Sequence, residues 1–375
     1  MRIVYMLASL GMGGAEKQVL AIAGRMAARG HSVTIVTLLP EAKQEWPTSL
    51  PVVRLNLRKN PFSVPSMFFR ARTALRELKP EIVHSHSFHA NMVARVIAPV
   101  AGRPVVISTI HNVYEGGWPR MLAYRLTDNL AIHTTAVSKA AAERFVRLKA
   151  VRGEKCSAVP NAIDLGEFAP DLSQRSRLRA SLNAGGDFVW LAAGRITAAK
   201  DYPNLLRAMV RVVEKTPMTK LWIAGEGTDS AMLRLGALIG YLGLSGRVEC
   251  LGLRRDLPAL LDAADAFVLG SAWEGMPLVI AEAMAKQKPV VATDVGGVGE
   301  LAGDAGTVVA AKNDAALAEA MLGVMRIPDA DRAALGRAAR ARIETSFNLD
   351  SRIYEWESMY QSLAASPSQT HQGRQ

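Results

Sequence analysis

Apolar residues along this chain come in short runs closed by glycine, proline or polar clusters, and each run is followed by a longer stretch with apolar positions three or four apart. The first run, Arg2-Ile-Val-Tyr-Met-Leu, predicts a β-strand, and Gly11-Met12-Gly13-Gly14 predicts a turn. Ala15 to Arg29 carries helical periodicity, and Gly30 then leads to a second apolar run, His31 to Leu39. The alternation continues through Glu81-Ile-Val-His, Arg103-Pro-Val-Val-Ile-Ser-Thr, Ile132-His-Thr-Thr-Ala-Val and Cys156-Ser-Ala-Val-Pro. Buried parallel strands alternating with helices describe a doubly wound α/β sheet.

Asn161 to Gly186 breaks the pattern and reads as a linker with one short helix around Ser173 to Leu182. A second series follows, with runs at Phe188 to Gly194, Lys220 to Gly225, Val248 to Gly252, Ala266 to Leu269 and Pro289 to Thr293. The chain is therefore expected to fold as two Rossmann-like domains, residues 1–165 and 166–349, whose strands point their carboxyl ends toward a shared cleft. A helix at about 350–365 is expected to pack back on the first domain, and the polar, aperiodic residues 366–375 to be disordered. The length of 375 residues suits two domains.

Composition narrows the class. No uncharged run approaches the roughly 18 residues that a spanning helix needs. Met1 to Ala15 reads as a first strand and not a signal peptide, because the glycine turn interrupts it early. Cys156 and Cys250 lie too far apart in sequence for a metal knuckle, and a reducing, cytoplasmic setting is expected. Residues 1–165 hold 22 basic against 10 acidic side chains, a net of +12, whereas the remainder nets −1. The basic half suggests an anionic partner such as nucleic acid, anionic lipid or a phosphorylated acceptor, of which a membrane surface or an acceptor, and no nucleic acid, is the expectation carried forward.

The chemistry concentrates in Ser271-Ala-Trp-Glu274-Gly275-Met276-Pro277-Leu278-Val-Ile-Ala-Glu282, which follows a strand and enters a helix. Eight helical steps would leave the two carboxylates some 80° apart, so Glu274 is placed on the loop and Glu282 on the helix. Amides from Gly275 to Leu278, with Pro277 near the first turn, form a site for a diphosphate, and a carboxylate farther in can accept from a ribose diol. In the first domain, Gly13 and Gly14 open a helix where backbone amides can approach a phosphate. Glu16 stands where a nicotinamide fingerprint needs its third glycine.

These motifs resemble the retaining glycosyltransferases of family 4, which have the GT-B fold. The resemblance runs from Gly13-Gly14-Ala15-Glu16 through Ala136-Val-Ser-Lys, Pro160-Asn-Ala-Ile-Asp164, Gly194-Arg195 with Lys200, Gly225-Glu226-Gly227 and the Glu274 to Glu282 segment to Gly296-Gly297-Val-Gly-Glu300. It implies that Glu274 contacts hydroxyls of the donor sugar, that Glu282 binds the ribose, and that Arg195 and Lys200 neutralise the diphosphate without a metal. Glu226 joins the donor site on the same ground, and His111, in Ser108-Thr-Ile-His-Asn, is expected to face the donor sugar.

No carboxylate offers itself as a covalent nucleophile, which favours a front-face mechanism, and the basic first half with its apolar and basic segment from Phe62 to Arg76 points to a lipid-linked or lipopolysaccharide/polysaccharide-type acceptor. The resemblance further implies transfer from a UDP-sugar, in preference to a GDP-sugar, with retention. It calls for neither cofactor nor metal. A UDP-N-acetylglucosamine 2-epimerase and a non-catalytic nucleotide-sugar sensor are the alternatives.

Three further patterns carry weaker chemistry. His84-Ser-His86-Ser-Phe-His89 suits zinc only if other ligands arrive from elsewhere. Asp329 and Asp331 are expected to cap a helix. Phe62, Met67, Phe68 and Phe69 beside Arg70, Arg72 and Arg76 fit a helix lying on an anionic membrane as well as they fit an ordinary sheet-covering helix.

Overall fold

The computed structural model describes residues 1–57 and 64–365. The chain forms two compact units, Met1–Pro160 together with the helix that begins at Leu349, and Asn161–Asn348. Asn161 to Leu165 thus go with the second unit and not the first. The expected disordered tail, 366–375, and Phe62 lie outside the described residues.

In the first unit the strands are β1 (Arg2–Leu7), β2 (Ser32–Thr37), β3 (Val52–Arg54), β4 (Ile82–His86), β5 (Val105–Ile110), β6 (His133–Ala136) and β7 (Cys156–Ala158). They form a parallel sheet in the order β3-β2-β1-β4-β5-β6-β7. Helices α1 (Gly14–Ala28), α2 (Val64–Leu78), α3 (Ser87–Ile97), α4 (Trp118–Thr127) and α5 (Lys139–Arg147) connect them. β1 carries Ile3 to Leu7 fully buried, as a strand covered on both faces must. Val4, Met6, Val36, Leu75, Val83, Val93 and Val106 make one side of the core.

In the second unit β8 (Phe188–Ala193), β9 (Thr219–Ala224), β10 (Val248–Gly252), β11 (Ala266–Leu269), β12 (Val290–Thr293) and β13 (Thr307–Val309) are ordered β10-β9-β8-β11-β12-β13, again parallel. Helices α6 (Arg175–Ser181), α7 (Tyr202–Lys215), α8 (Asp229–Tyr241), α9 (Leu257–Ala263), α10 (Leu278–Ala285), α11 (Val298–Ala302), α12 (Asp314–Arg326) and α13 (Asp329–Ser346) complete it. Trp190, Leu206, Met209, Leu221, Ile223, Leu317 and Met321 form its core.

Both sheets reverse their strand order once, at β1/β4 and at β8/β11. Connections on the two sides of such a point cross to opposite faces of the sheet, so the loops leaving its carboxyl edge diverge and leave a crevice. The turn at Gly11 to Gly14 and His86 stand at one such point, and Gly194-Arg195 and Gly270 to Glu274 at the other.

The final helix, α14 (Leu349–Ala365), buries Leu349, Ile353, Trp356 and Tyr360. It belongs to the first unit: the Tyr360 hydroxyl meets that of Tyr5 at 3.1 Å, and Glu357 accepts from His31 Nε2 at 2.8 Å. Arg29 pairs with the same carboxylate.

One expectation is corrected, and the packing of α2 bears on an alternative left open. Asp329 and Asp331 lie in the first turn of α13, but the cap is Pro328 and neither side chain caps the helix. Asp329 pairs instead with Arg332, so these acids complement the helix dipole only. In α2, Met67 and Phe68 pack against the core of the first unit. Arg70 donates to the Leu55 carbonyl at 2.9 Å and Arg72 to that of Val100 at 3.2 Å, so the apolar and basic groups of α2 are largely engaged within the fold.

Candidate functional site

In the second unit the loops that leave the carboxyl ends of the strands are tied to one another by backbone hydrogen bonds. Gly194 N–H donates to Ala224 O at 2.9 Å, Ile196 N–H to Glu226 O at 2.8 Å, Ala272 N–H to Ala199 O at 2.8 Å and Gly297 N–H to Gly275 O at 2.7 Å. The approach is closest at two glycines. Any β-carbon on Gly225 would run into the carbonyl of Gly194, and one on Gly296, whose φ is +58°, would run into the carbonyl of Glu274.

Glu274 is buried on the loop between β11 and α10, and one oxygen, Oε1, accepts both from Lys200 Nζ at 2.7 Å and from Ser271 Oγ at 2.7 Å. The Ser271 carbonyl accepts from Thr293 Oγ1 at 2.6 Å, which anchors the loop to the end of β12. Lys200 reaches Glu274 because its stem passes over Gly194, where a β-carbon would lie 2.7 Å from Lys200 Cε. Asp201, in the left-handed region at φ 42°, turns the chain immediately afterwards into α7. A carboxylate and an ammonium are thus held together, largely screened from water, at the strand-order reversal of this sheet.

Pro277 caps α10, and Glu282 lies buried within that helix, whereas Glu274 precedes it. Gly275, Met276, Pro277 and Leu278 are buried at the helix start, and the Met276 carbonyl is held by Asn161 Nδ2 at 2.9 Å. The first-turn N–H groups of an α-helix lack partners within the helix, and its dipole favours negative charge there. Arg195 and Glu226 are exposed on adjoining loops. The unit therefore brings Lys200 and Glu274 into contact and places Arg195 and Glu226 on loops bonded to each other.

In the first unit, Gly13 caps α1 in an extended conformation and Gly14 is the first helical residue. Trp46 Nε1 donates to the Gly13 carbonyl at 3.1 Å, and Glu16 folds its carboxylate back over Gly13. His111 follows β5. Its N–H donates to Glu115 Oε1 at 3.1 Å, and its Nε2 lies 3.0 Å from His86 Nδ1. His84 uses both ring nitrogens, Nδ1 toward the Tyr360 hydroxyl and Nε2 toward Thr109 Oγ1, each at 2.6 Å.

Burial, reinforced by neighbouring imidazoles, lowers the His84 pKa to about 3 and that of His86 well below the ordinary value. Burial alone lowers His111 to about 4. All three rings are neutral at pH 7, and in the 3.0 Å pair one ring donates and the other accepts. Among the described residues no group of three or more His, Cys, Asp or Glu side chains is arranged to hold a metal ion.

Sequence reasoning gave no role to Ser271, Thr293 or Glu115. Ser271 stands three residues before Glu274 in the motif and could have been read as its hydrogen-bond donor. Glu115 had no such signal. It accepts from Tyr124 OH at 2.6 Å, Tyr124 accepts from Asn91 Nδ2 at 2.9 Å, and burial raises the carboxyl pKa.

Each of the two units contains a stretch that matches a family of known proteins. Residues 12–167 match the family described as Glycosyltransferase Family 4, and residues 187–326 match Glycosyl transferases group 1. The chain belongs to glycosyltransferase family 4. Among curated relatives, a UDP-Gal:alpha-D-GlcNAc-diphosphoundecaprenol alpha-1,3-galactosyltransferase of Escherichia coli is 30% identical over 240 residues, which is 60% of this chain and 60% of that one. The glycogen synthase of Mycobacterium tuberculosis (strain H37Rv) is 30% identical over 299 residues, 73% of this chain and 66% of that one. The matched region thus spans about 60% of the length of the first of these relatives.

A crystal structure of Anabaena Alr3699/HepE in complex with UDP and glucose superposes with a TM-score of 0.84 at 23% identity, covering 96% of this chain and 100% of that one. This likeness establishes the GT-B fold of the family 4 chain, two parallel-sheet Rossmann-like domains.

Proposed function

We propose that the chain transfers a sugar from a UDP-sugar to a lipid-linked or polysaccharide-type acceptor, with retention of configuration and without a metal. The observation that carries this reading is the Lys200–Glu274 contact of 2.7 Å beside the start of α10, with Glu282 farther along the helix. A donor needs a cation for its diphosphate, a carboxylate for sugar hydroxyls and another for the ribose diol, and these side chains are of those types.

In this reading Lys200 turns from Glu274 toward the diphosphate when the donor binds, and exposed Arg195 joins it. The bond between the anomeric carbon and the diphosphate oxygen breaks as the nucleoside diphosphate leaves with added negative charge, which the two cations stabilise. The acceptor hydroxyl forms its bond to the anomeric carbon on the same face, and its proton passes to the departing phosphate oxygen. Within the second unit, Glu226 and the Gly275 to Leu278 segment serve the donor, and His111, Gly13 and Gly14 of the first unit keep the roles that the family resemblance implies.

The acceptor class is supported by the E. coli relative, whose name specifies a diphosphoundecaprenol-linked sugar. Among the described residues no helix is long and apolar enough to cross a membrane. With a net charge of +12 over residues 1–165, the reading places the chain at the cytoplasmic face of an anionic membrane.

The test is a pair of substitutions assayed with a panel of UDP-sugars. Glu282→Ala should raise the donor Kd, whereas Glu274→Ala should lower kcat more than it alters donor affinity. Removing a hydrogen-bonded charged partner costs roughly 1.5–3 kcal/mol, or about 10- to 150-fold. Full transferase activity in both variants would overturn the assignment.

A further inference from the structure

Helix α4 presents apolar side chains to solvent along one side. Trp118 is 75% exposed, Leu126 72% and Leu122 42%, four residues apart in sequence, while Tyr124 on the opposite side is fully buried. A surface helix of a globular protein ordinarily turns such a stripe inward. Tyr114 and Leu148 extend the patch, and Val113, Met121 and Leu122 line a groove of about 370 Å³ beneath it.

The polar residues around this groove are mainly cationic. Arg125 and Arg144 line it, and exposed Arg147 and Lys149 follow at the end of α5, with Glu143 as the opposing charge on that helix. Glu115, which also lines the groove, is buried and hydrogen-bonded to Tyr124. A tryptophan and two leucines flanked by arginines form the pattern of a segment that lies in a bilayer interface, with the indole at headgroup depth and the cations at the phosphates.

We infer that α4, with the end of α5, is the surface through which this protein docks on an anionic phospholipid bilayer. Charge complementarity selects that occupant: the patch lies in the basic part of the sequence, and each arginine or lysine near an anionic leaflet strengthens partition roughly fivefold. Helix α2, the other basic helix of this unit, has Met67 and Phe68 packed inside and leaves Phe69 as its large exposed apolar residue. The inference rests on exposure and charge and does not depend on the assignment of the donor-site residues.

Co-sedimentation of the full chain with phosphatidylglycerol vesicles, with phosphatidylcholine vesicles as the neutral arm, tests it. Wild type should bind the anionic vesicles and be released by salt. Leu122→Ser combined with Leu126→Ser should weaken that binding more than tenfold at an unchanged Tm, and Arg144→Glu should weaken it independently. Phe69→Ser in α2 should remain within twofold of wild type. Unchanged binding in the α4 variant, a larger loss from Phe69→Ser, equal binding to both vesicle types or no binding to either would each overturn the proposal. UDP release from the donor with a water-soluble acceptor, measured on the same variants, reports separately on the glycosyltransferase reading.

Discussion

Glu274 cannot be moved without disturbing the groups packed around it. Its Oε1 is shared by Lys200 and Ser271, and its carbonyl lies where a β-carbon on Gly296 would go. Ser271→Ala removes one charge-assisted bond, of the kind worth roughly 1.5–3 kcal/mol. If that bond fixes the carboxylate for the sugar, kcat should fall about tenfold or more with little change in KM, and Ser271→Thr should restore most of it. Equal activity in wild type and Ser271→Ala would show that Glu274 is held by Lys200 alone. Gly296→Ala is expected to be harsher, since φ of +58° and the overlap with Glu274 both oppose a side chain; a destabilisation of about 1–3 kcal/mol should be seen in chemical denaturation. The loop position of Glu274 and the helix position of Glu282 were legible from the strand, the Gly275-Met-Pro277 turn and the helix around them, whereas their roles toward a donor belong to the proposal. Ser271 was present in the same segment, yet its role depends on a rotamer and a neighbouring loop, which spacing does not encode.

At the scale of elements, the longer strands were readable as apolar runs bounded by turn residues. β3 and β13 were not: Val52–Arg54 and Thr307–Val309 are three residues each, and neither run is closed by a proline as that of the equally short β7 is by Pro160. The amphipathic character of α2 was visible, but not that Met67 and Phe68 turn inward, which only the tertiary fold decides. β4 and the loop that follows β5 carry the histidine cluster, whose pH response follows from its burial. The folded-state pKa values, about 3 for His84 and about 4 for His111, lie below the unfolded value of about 6.5. Between these limits the unfolded chain binds more protons, so the contribution of the neutral rings is complete above about pH 6.5 and is lost as pH falls through the folded values. Thermal unfolding followed from pH 7 to pH 4 should show Tm declining across this window, with a shallower slope in His111→Gln. Identical slopes would mean that His111 is protonated as easily folded as unfolded.

Across the whole molecule, two sheets of the same winding, each with one reversal of strand order, were foreseeable from the alternation of runs, and the division of the chain came from the composition change after Pro160. The assignment of Asn161 to Leu165 to the second unit was not foreseeable, since it depends on pairings such as Ile163 N–H with the Phe347 carbonyl at 2.8 Å, nearly two hundred positions away in sequence. The central claim is that this family 4 chain turns over a nucleotide sugar using its own cations in place of a metal. Arg195→Ala and Lys200→Ala should each lower kcat more than tenfold. The most direct measurement is UDP release from a panel of UDP-sugars, with and without a polyprenyl-diphosphate-linked sugar acceptor, in the presence of EDTA. The account predicts release that depends on the acceptor and is unchanged by chelation. Release that vanishes with EDTA and returns with magnesium or manganese, epimer formation without acceptor, or tight donor binding without turnover would contradict it.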